Sequence, residues 1–138
     1  MVERSRIHQL QEKLVNQGAD AFIVTQNVDI FYYTGSMQQG YLVVPAKAEP
    51  CFYVRRSVTR AEQESIVPVK ELGSFRKFAE RLADDFPAVF GQSTSLLLTE
   101  FDVMPVQLFQ RFQALLPNSK WVDGSKLVRE QRMIKSEH

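Results

Sequence analysis

The segment that decides the fold is GYLVVPAKAEPCFYVRR, residues 40–56. Two runs rich in β-branched and aromatic residues, YLVVP and PCFYVRR, flank the polar connection AKAE. Pro45 and Pro50 bracket this connection. Lys47 and Glu49 within it indicate that it is exposed to solvent. We therefore predict a β-hairpin, which places at least one antiparallel strand pair in the sheet.

The residues before the hairpin predict a helix, a buried strand and a turn. Apolar residues recur at helical spacing over about residues 3–17, and Gly18 is a candidate C-cap. The run Ala21–Val24 contains no polar residue, as expected of a strand that is covered on both faces. NVDIFYYTG then predicts a short helical turn. We interpret Gly35 and Gly40 as residues that permit turns with positive φ.

Helix and strand patterns alternate after the hairpin. Ser57 is a candidate N-cap for a helix, and Pro68 places the strand IVPVKEL at an edge of the sheet. SFRKFAERLADDF has an apolar stripe opposite a charged face, and it predicts the clearest helix, which Pro87 terminates. SLLLTE and KWVDG predict two more strands. The helices that follow them are MPVQLFQRFQALLP, which begins near Pro105, and SKLVREQRMI.

This order of elements predicts an α/β fold. We expect a single three-layer domain in which a mixed sheet, mostly parallel with one hairpin, has helices on both faces. The sheet should contain about five to six strands. The pattern continues without an internal repeat or a Gly/Ser-rich linker, so one domain should extend over residues 1–126.

Composition excludes several classes of protein. The 138 residues include 17 basic and 16 acidic side chains, and a net charge of +1 argues against a nucleic-acid-binding module. No apolar stretch approaches the roughly 20 residues that cross a bilayer, and the N-terminus lacks the apolar region of a signal peptide. The single cysteine, Cys51, cannot form an internal disulfide. These features fit a cytoplasmic protein.

Few residues suggest catalysis. His8 lies beside the apolar stripe of the first predicted helix and should be solvated, and His138 is the last residue. No cluster of histidines, cysteines or carboxylates has the spacing of metal ligands, so we predict neither a metal site nor a catalytic residue. Cys51 is expected to be a small buried apolar side chain. Asp84 and Asp85 are expected to lie on a solvated helix face.

Two segments contain the candidate binding residues. FYYTG includes Tyr33, whose ring either covers the sheet or contacts a ligand. YVRRSVTR places Arg55, Arg56 and Arg60 at a strand end and on the next helix. These cations form either an exposed basic edge or a clamp for a carboxylate. Loops at strand ends are where α/β domains usually hold ligands.

The segment RIHQLQEKLVNQGADAFIVTQNVDIFYYTG, residues 6–35, resembles the opening of the creatinase and prolidase family. That family begins with an arginine-led helix, a Gly/Ala-x-Asp-Ala strand and an Asn-x-x-Ile-x-Tyr-x-Thr-Gly turn. The matching residues are Arg6, Gly18, Asp20, Ala21, Asn27, Ile30, Tyr32 or Tyr33, Thr34 and Gly35. The predicted hairpin, residues 40–56, also resembles the strand pair of this family. The segment LVREQRMIKSEH resembles the helix that leads into the family's catalytic domain. The resemblance covers essentially the whole chain.

The resemblance implies the N-terminal domain of an Xaa-Pro dipeptidase or aminopeptidase P, with the creatinase N-terminal fold. Hydrolysis in that family belongs to a C-terminal pita-bread domain, where two Asp, one His and two Glu hold two divalent metals, Mn, Co or Zn. Residues 127–138 would then begin the linker helix to that catalytic domain.

The similar N-terminal domains form homodimer contacts and shape access to the active site. In several members an N-domain residue of the neighbouring subunit reaches the substrate, and Tyr33, Arg55 and Arg56 are the candidates here. The same N-domain also precedes creatinase-like C–N hydrolases and non-catalytic binding proteins. A free-standing carboxylate-binding, small-molecule-binding or protein-interaction domain is the alternative.

Overall fold

Six strands form one sheet in a computed structural model, which describes residues 4–91 and 94–133. The strands are β1 (Ala21–Val24), β2 (Gly40–Pro45), β3 (Cys51–Val54), β4 (Val69–Glu71), β5 (Ser95–Thr99) and β6 (Ser119–Asp123). Their order across the sheet is β4-β3-β2-β1-β5-β6. The prediction of a mixed α/β sheet of five to six strands is therefore confirmed.

The helices lie between and beside these strands. They are α1 (Arg4–Asn16), α2 (Asn27–Thr34), α3 (Val58–Glu64), α4 (Phe78–Asp85), α5 (Pro87–Phe90), α6 (Val106–Leu115) and α7 (Ser125–Met133). A 3-10 turn, Phe75–Lys77, precedes α4. The segment predicted as one helix up to Pro87 is thus a 3-10 turn followed by α4, and Pro87 begins a further short helix.

The hairpin sets the directions of the strands. β2 is antiparallel to both of its neighbours, with Leu42 opposite Phe52 in β3 and Val24 in β1. The β1–β5, β5–β6 and β3–β4 pairs are parallel. All strands except β2 therefore run in one direction, and their carboxyl ends meet the start of β2 along one side of the sheet. We call this side the carboxyl edge.

Two apolar clusters cover the two faces of the sheet. The first packs Ile7 of α1, Ile30 of α2 and Val128 of α7 against strand residues such as Phe22. The second cluster includes residues of α4 and α6, among them Phe78, Leu82, Phe112 and Leu116. Because helices cover both faces, the predicted three-layer arrangement is confirmed.

Gly35 and Gly40 differ from one another. Gly35 ends α2 with a φ of 86°, in the left-handed region that the sequence predicted. Gly40 does not have a positive φ, so that part of the prediction was wrong. A Cβ at Gly40 would overlap the carbonyl oxygen of Tyr53 and lie 2.9 Å from the Cα of Val54. Gly40 is required because the two hairpin strands approach closely at this position.

Two polar side chains differ from expectation. Ser57 occupies the N-cap position of α3, as predicted, but it has a left-handed φ of 56° and its side chain caps no backbone N–H. Asp85 does not point freely into solvent. Its carboxylate accepts hydrogen bonds from the hydroxyl of Tyr53 at 2.5 Å and from Nζ of Lys70 at 2.6 Å. The turn of α4 that contains Asp85 is therefore tied to β3 and β4.

Candidate functional site

Arg55 and Glu100 directly follow β3 and β5 at the carboxyl edge. The ends of β1, β3 and β5 lie there, together with the loop 36–39 before β2. Ligands of parallel α/β sheets bind beyond the carboxyl ends of the strands, where loops diverge from the sheet. The carboxyl edge is therefore the candidate functional site.

Arg55 and Arg56 follow β3 directly and line an open cleft of about 380 Å³ together with residues 37–39 and Ser57. Both arginines are exposed. Nη2 of Arg55 donates to the hydroxyl oxygen of Tyr41 at 3.1 Å, which restrains the guanidinium. The backbone N–H of Arg55 donates to the carbonyl oxygen of Gln39 at 3.0 Å and joins the two walls. Two guanidinium groups in one cleft can bind a carboxylate.

The other wall of this cleft is held by Glu64, at the end of α3. One oxygen of its carboxylate, Oε1, accepts from the hydroxyl of Ser36 at 2.9 Å and from the N–H of Met37 at 3.1 Å. The hydrogen bond from Ser36 is the main reason that the pKa of Glu64 lies below its ordinary value. The loop beside Arg55 and Arg56 is thus anchored by an ionised side chain.

Tyr33 lies away from this cleft, in the interior. Its side chain is fully buried, and its hydroxyl donates to Oε1 of Gln131 on α7 at 2.7 Å. Nε2 of Gln131 in turn donates to the carbonyl oxygen of Arg6 on α1 at 2.7 Å. Burial raises the pKa of Tyr33 well above its ordinary value. The structure therefore brings Arg55 and Arg56 together and places Tyr33 where it joins three helices.

A pair of buried carboxyl groups is the feature that sequence reasoning missed. Asp29 in the first turn of α2 is fully buried, and Glu100, directly after β5, is 7% exposed. Oδ1 of Asp29 accepts from Nη1 of Arg132 on α7 at 2.9 Å. Burial raises the pKa of Glu100 to about 9, and the neighbouring carboxyl group of Asp29 acts in the same direction. The sequence contained only a weak signal, an acidic residue next to each of two apolar segments.

A groove between α2 and α7 adjoins this pair. It has a volume of about 550 Å³ and is lined by Arg6, Val28, Phe31, Tyr32, Arg129, Arg132 and Met133. Val28, Phe31 and Met133 are 51%, 46% and 77% exposed. Three large apolar side chains at one groove indicate a surface that another polypeptide can cover.

The remaining candidate residues have ordinary environments. Cys51 is buried, and burial raises its pKa to about 11, so the unreactive neutral thiol predominates at neutral pH. His8 is exposed, as predicted, and His138 lies outside the described residues. Within residues 4–91 and 94–133, no three His, Cys, Asp or Glu side chains are grouped so that they could hold a metal ion. No helix in these two ranges is long and apolar enough to cross a membrane.

Comparison with protein families identifies the domain. The model of the creatinase/prolidase N-terminal domain family matches residues 6–134. The chain belongs to this family. A search of curated proteins gave no match. The sequence resemblance was carried by residues 6–35, the hairpin and α7. The family match extends over nearly the whole chain and includes the carboxyl edge.

Solved structures show the same fold for this creatinase/prolidase N-terminal domain. The N-terminal domain of an X-Pro dipeptidase from Streptococcus pyogenes superposes with a TM-score of 0.75 at 22% identity, with 93% of this chain and 99% of that chain covered. The N-terminal domain of the cytoplasmic peptidase PepQ from Mycobacterium tuberculosis gives a TM-score of 0.71 at 22% identity, with 94% and 100% covered.

Longer relatives contain the same domain as one part. The prolidase from Pyrococcus horikoshii has a TM-score of 0.79 at 20% identity, and the match covers 96% of this chain but 36% of that chain. At these identities the likeness establishes the fold. The chain therefore spans about a third of the length of this prolidase.

Proposed function

We propose that this chain is the non-catalytic N-terminal domain of a cytoplasmic metallopeptidase that resembles Xaa-Pro dipeptidases and aminopeptidases, called the parent protein below. The domain contributes to formation of a homodimer and shapes the access of substrate. The observation that carries the proposal is the match of nearly the whole chain to about a third of a prolidase. The family match over residues 6–134 supports it.

The catalytic step belongs to another domain of the parent protein under this proposal. Two divalent metal ions, Mn, Co or Zn, would activate water and polarise the scissile carbonyl there. No catalytic role is assigned to this chain. The described residues offer no three-residue group for a metal, and the thiol of Cys51 is neutral and buried.

The groove between α2 and α7 is the proposed contact surface for the catalytic domain of the parent. α7 packs on the N-terminal domain through Val128, which is fully buried, and through Gln131. Met133, the last described residue of α7, lines this groove together with the exposed side chains of Val28 and Phe31. We therefore propose that residues 127–138 begin the connection to the catalytic domain.

Substrate contact in a neighbouring subunit is proposed for Arg55 and Arg56. Their guanidinium groups are exposed in one cleft and can form charge-assisted hydrogen bonds with the carboxylate of a dipeptide. Tyr33 belongs to the same prediction, but its side chain is fully buried. A direct contact from Tyr33 would require α2 to move, whereas contacts from the arginines would not.

The chain alone should not hydrolyse an Xaa-Pro dipeptide. With Mn²⁺ present, the expected rate equals that of buffer, because the metal-binding residues are proposed to lie in the catalytic domain. Proline release from the dipeptide measures the rate, and the parent protein with the same metal is the positive control. Turnover by the purified chain that a chelator abolishes would contradict the proposal.

Replacing both Arg55 and Arg56 by alanine in the parent protein should raise KM for an Xaa-Pro dipeptide by about tenfold and leave kcat nearly unchanged. The reason is the loss of charge-assisted hydrogen bonds to the substrate carboxylate, worth about 1.5 kcal/mol. Steady-state kinetics measure both constants. Arg76→Ala is the matched control, since Arg76 is an exposed arginine that does not line the cleft. A KM no higher than in this control would count against the role of the cleft.

The cleft also supports the alternative, a free-standing domain that binds carboxylates. Its two exposed guanidinium groups are the observation in favour. The test is the melting temperature of the isolated chain with and without a small carboxylate. A rise in the wild type that is absent in the Arg55→Ala/Arg56→Ala variant would favour this function over a role limited to the parent protein.

A further inference from the structure

The buried carboxyl pair has two oxygens without a conventional donor. Oδ2 of Asp29 and Oε1 of Glu100 are both buried, and neither accepts a hydrogen bond from an N–H or O–H group of the described residues. The two side chains nevertheless act on one another, since Asp29 contributes to raising the pKa of the Glu100 carboxyl. Two ionised carboxylates have only acceptors, so a hydrogen bond between them requires a proton on one of them.

Charge balance leads to the same conclusion. Among the described residues, the cation in contact with the pair is Arg132, whose Nη1 lies 2.9 Å from Oδ1 of Asp29. If both carboxyl groups were ionised, one negative charge would remain buried without compensation, which costs several kcal/mol. With one proton bound, the pair carries one negative charge, which Arg132 balances. Carboxyl pairs that share a site bind a proton for this reason.

We propose that Asp29 and Glu100 share one proton at neutral pH, and that the resulting acid–carboxylate pair holds α7 against the carboxyl edge through Arg132. Glu100 is the protonated member, and its O–H donates to the carboxylate of Asp29. The other oxygen of Asp29 then receives the guanidinium N–H. Three separate elements, α2, the end of β5 and α7, are joined through this pair.

The charged and titratable neighbours of Glu100 come from each element that packs against it. Asp29 and Tyr33 face it from α2, Arg132 faces it from α7, and Asp102 lies in the turn that follows Glu100. Arg132 favours ionisation of Glu100, whereas burial and the negative charges of Asp29 and Asp102 oppose it. The opposing influences are stronger, since the pKa of Glu100 rises to about 9.

Infrared spectroscopy of the wild-type chain tests the shared proton directly. At about pH 7.5 ordinary carboxyl groups are ionised, and we expect one absorption from a neutral carboxylic acid. Glu100→Gln should remove this absorption. Glu130→Gln, which changes an exposed carboxylate on α7, should leave it unchanged. Absence of the absorption in the wild type, or its persistence in Glu100→Gln, would overturn the proposal.

The pH dependence of thermal unfolding is a second test. The folded chain holds the proton of Glu100 up to about pH 9, whereas the unfolded chain releases it near the ordinary value of 4.5. Stability therefore falls as the pH rises through this interval. The glutamine of Glu100→Gln donates the same hydrogen bond without titrating. Its melting temperature should fall less than that of the wild type between about pH 6 and about pH 9. Parallel curves for these two proteins would contradict the shared proton.

Hydrogen exchange tests the attachment of α7. Arg132→Met leaves the carboxyl pair without its cation, and amides of α7 should exchange about fivefold faster than in the wild type. Lys126→Met is the control, because Lys126 is an exposed cation on the same helix whose ion pair is with Glu130 of that helix. If both variants accelerate exchange in α7 equally, the pair does not hold the helix.

Discussion

Replacement of Phe78 by alanine is expected to lower the free energy of unfolding by about 4 kcal/mol. Phe78 is fully buried at the start of α4. Its ring lies 4.9 Å from that of Tyr53, 6.0 Å from that of Tyr41 and 6.5 Å from that of Phe112, measured between centroids. Truncation removes the apolar contacts and leaves a cavity that surrounding rings on the sheet cannot fill without leaving their own positions.

Chemical denaturation of the wild type and the Phe78→Ala variant measures this loss. Phe31→Ala is the matched control, because Phe31 is 46% exposed and makes the same change of side chain at the groove between α2 and α7. The control should lose less than about 1 kcal/mol. Similar losses in both variants would show that the second apolar cluster is not packed as described. Domains ordinarily have a free energy of unfolding of about 5–15 kcal/mol, so both variants should stay folded enough for their unfolding transitions to be measured.

Gly40→Ala is expected to cost about 3 kcal/mol or more, because the added methyl group overlaps backbone atoms that belong to a central strand. The conflict involves the carbonyl of Tyr53 and the Cα of Val54, the residue directly opposite Gly40 in the hairpin. Neither atom can rotate away as a side chain can. β2 and β3 must therefore separate at this end, and the walls of the cleft beside Arg55 would separate with them.

Thermal unfolding with circular dichroism measures the effect of Gly40→Ala. Gly18→Ala is the control, since Gly18 has a positive φ of 69° but no atom within 4 Å of an added Cβ. It should cost about 1 kcal/mol, from the left-handed backbone alone. A Gly40→Ala variant as stable as Gly18→Ala would mean that the hairpin register differs from that in the structure.

Elements whose signals lie within a few residues could be predicted from the sequence. The hairpin was recognised because two β-rich runs flank a short polar connection, and α1 because its apolar residues recur at helical spacing. The strand order β3-β2-β1-β5 could not be predicted. Pairing between β1 and β5, for example, joins Ala21 to Leu97, and no local pattern specifies such a partner.

The same distinction applies to the carboxyl edge. Arg55 and Arg56 were predicted as candidates because they directly follow a strand, and a strand end lies at an edge of the sheet. The partnership of Asp29 with Glu100 was missed, since the residues are far apart in the chain and each is unremarkable alone. Tyr33 was a candidate for substrate contact, with a ring that covers the sheet as the alternative. Its hydrogen bond to Gln131 depends on α7, whose position a local pattern does not determine.

The sequence by itself determined the class of fold, the hairpin and the family, because each of these is encoded in residue types a few positions apart. Tertiary structure alone decided that Gly40 serves close approach of strands, that Asp85 is tied to the sheet and that two carboxyl groups meet beneath Arg132. These features depend on which atoms become neighbours when distant segments pack. Burial then changes the free energy of a charge or a methyl group by several kcal/mol, an effect that the same residue does not experience in the unfolded chain.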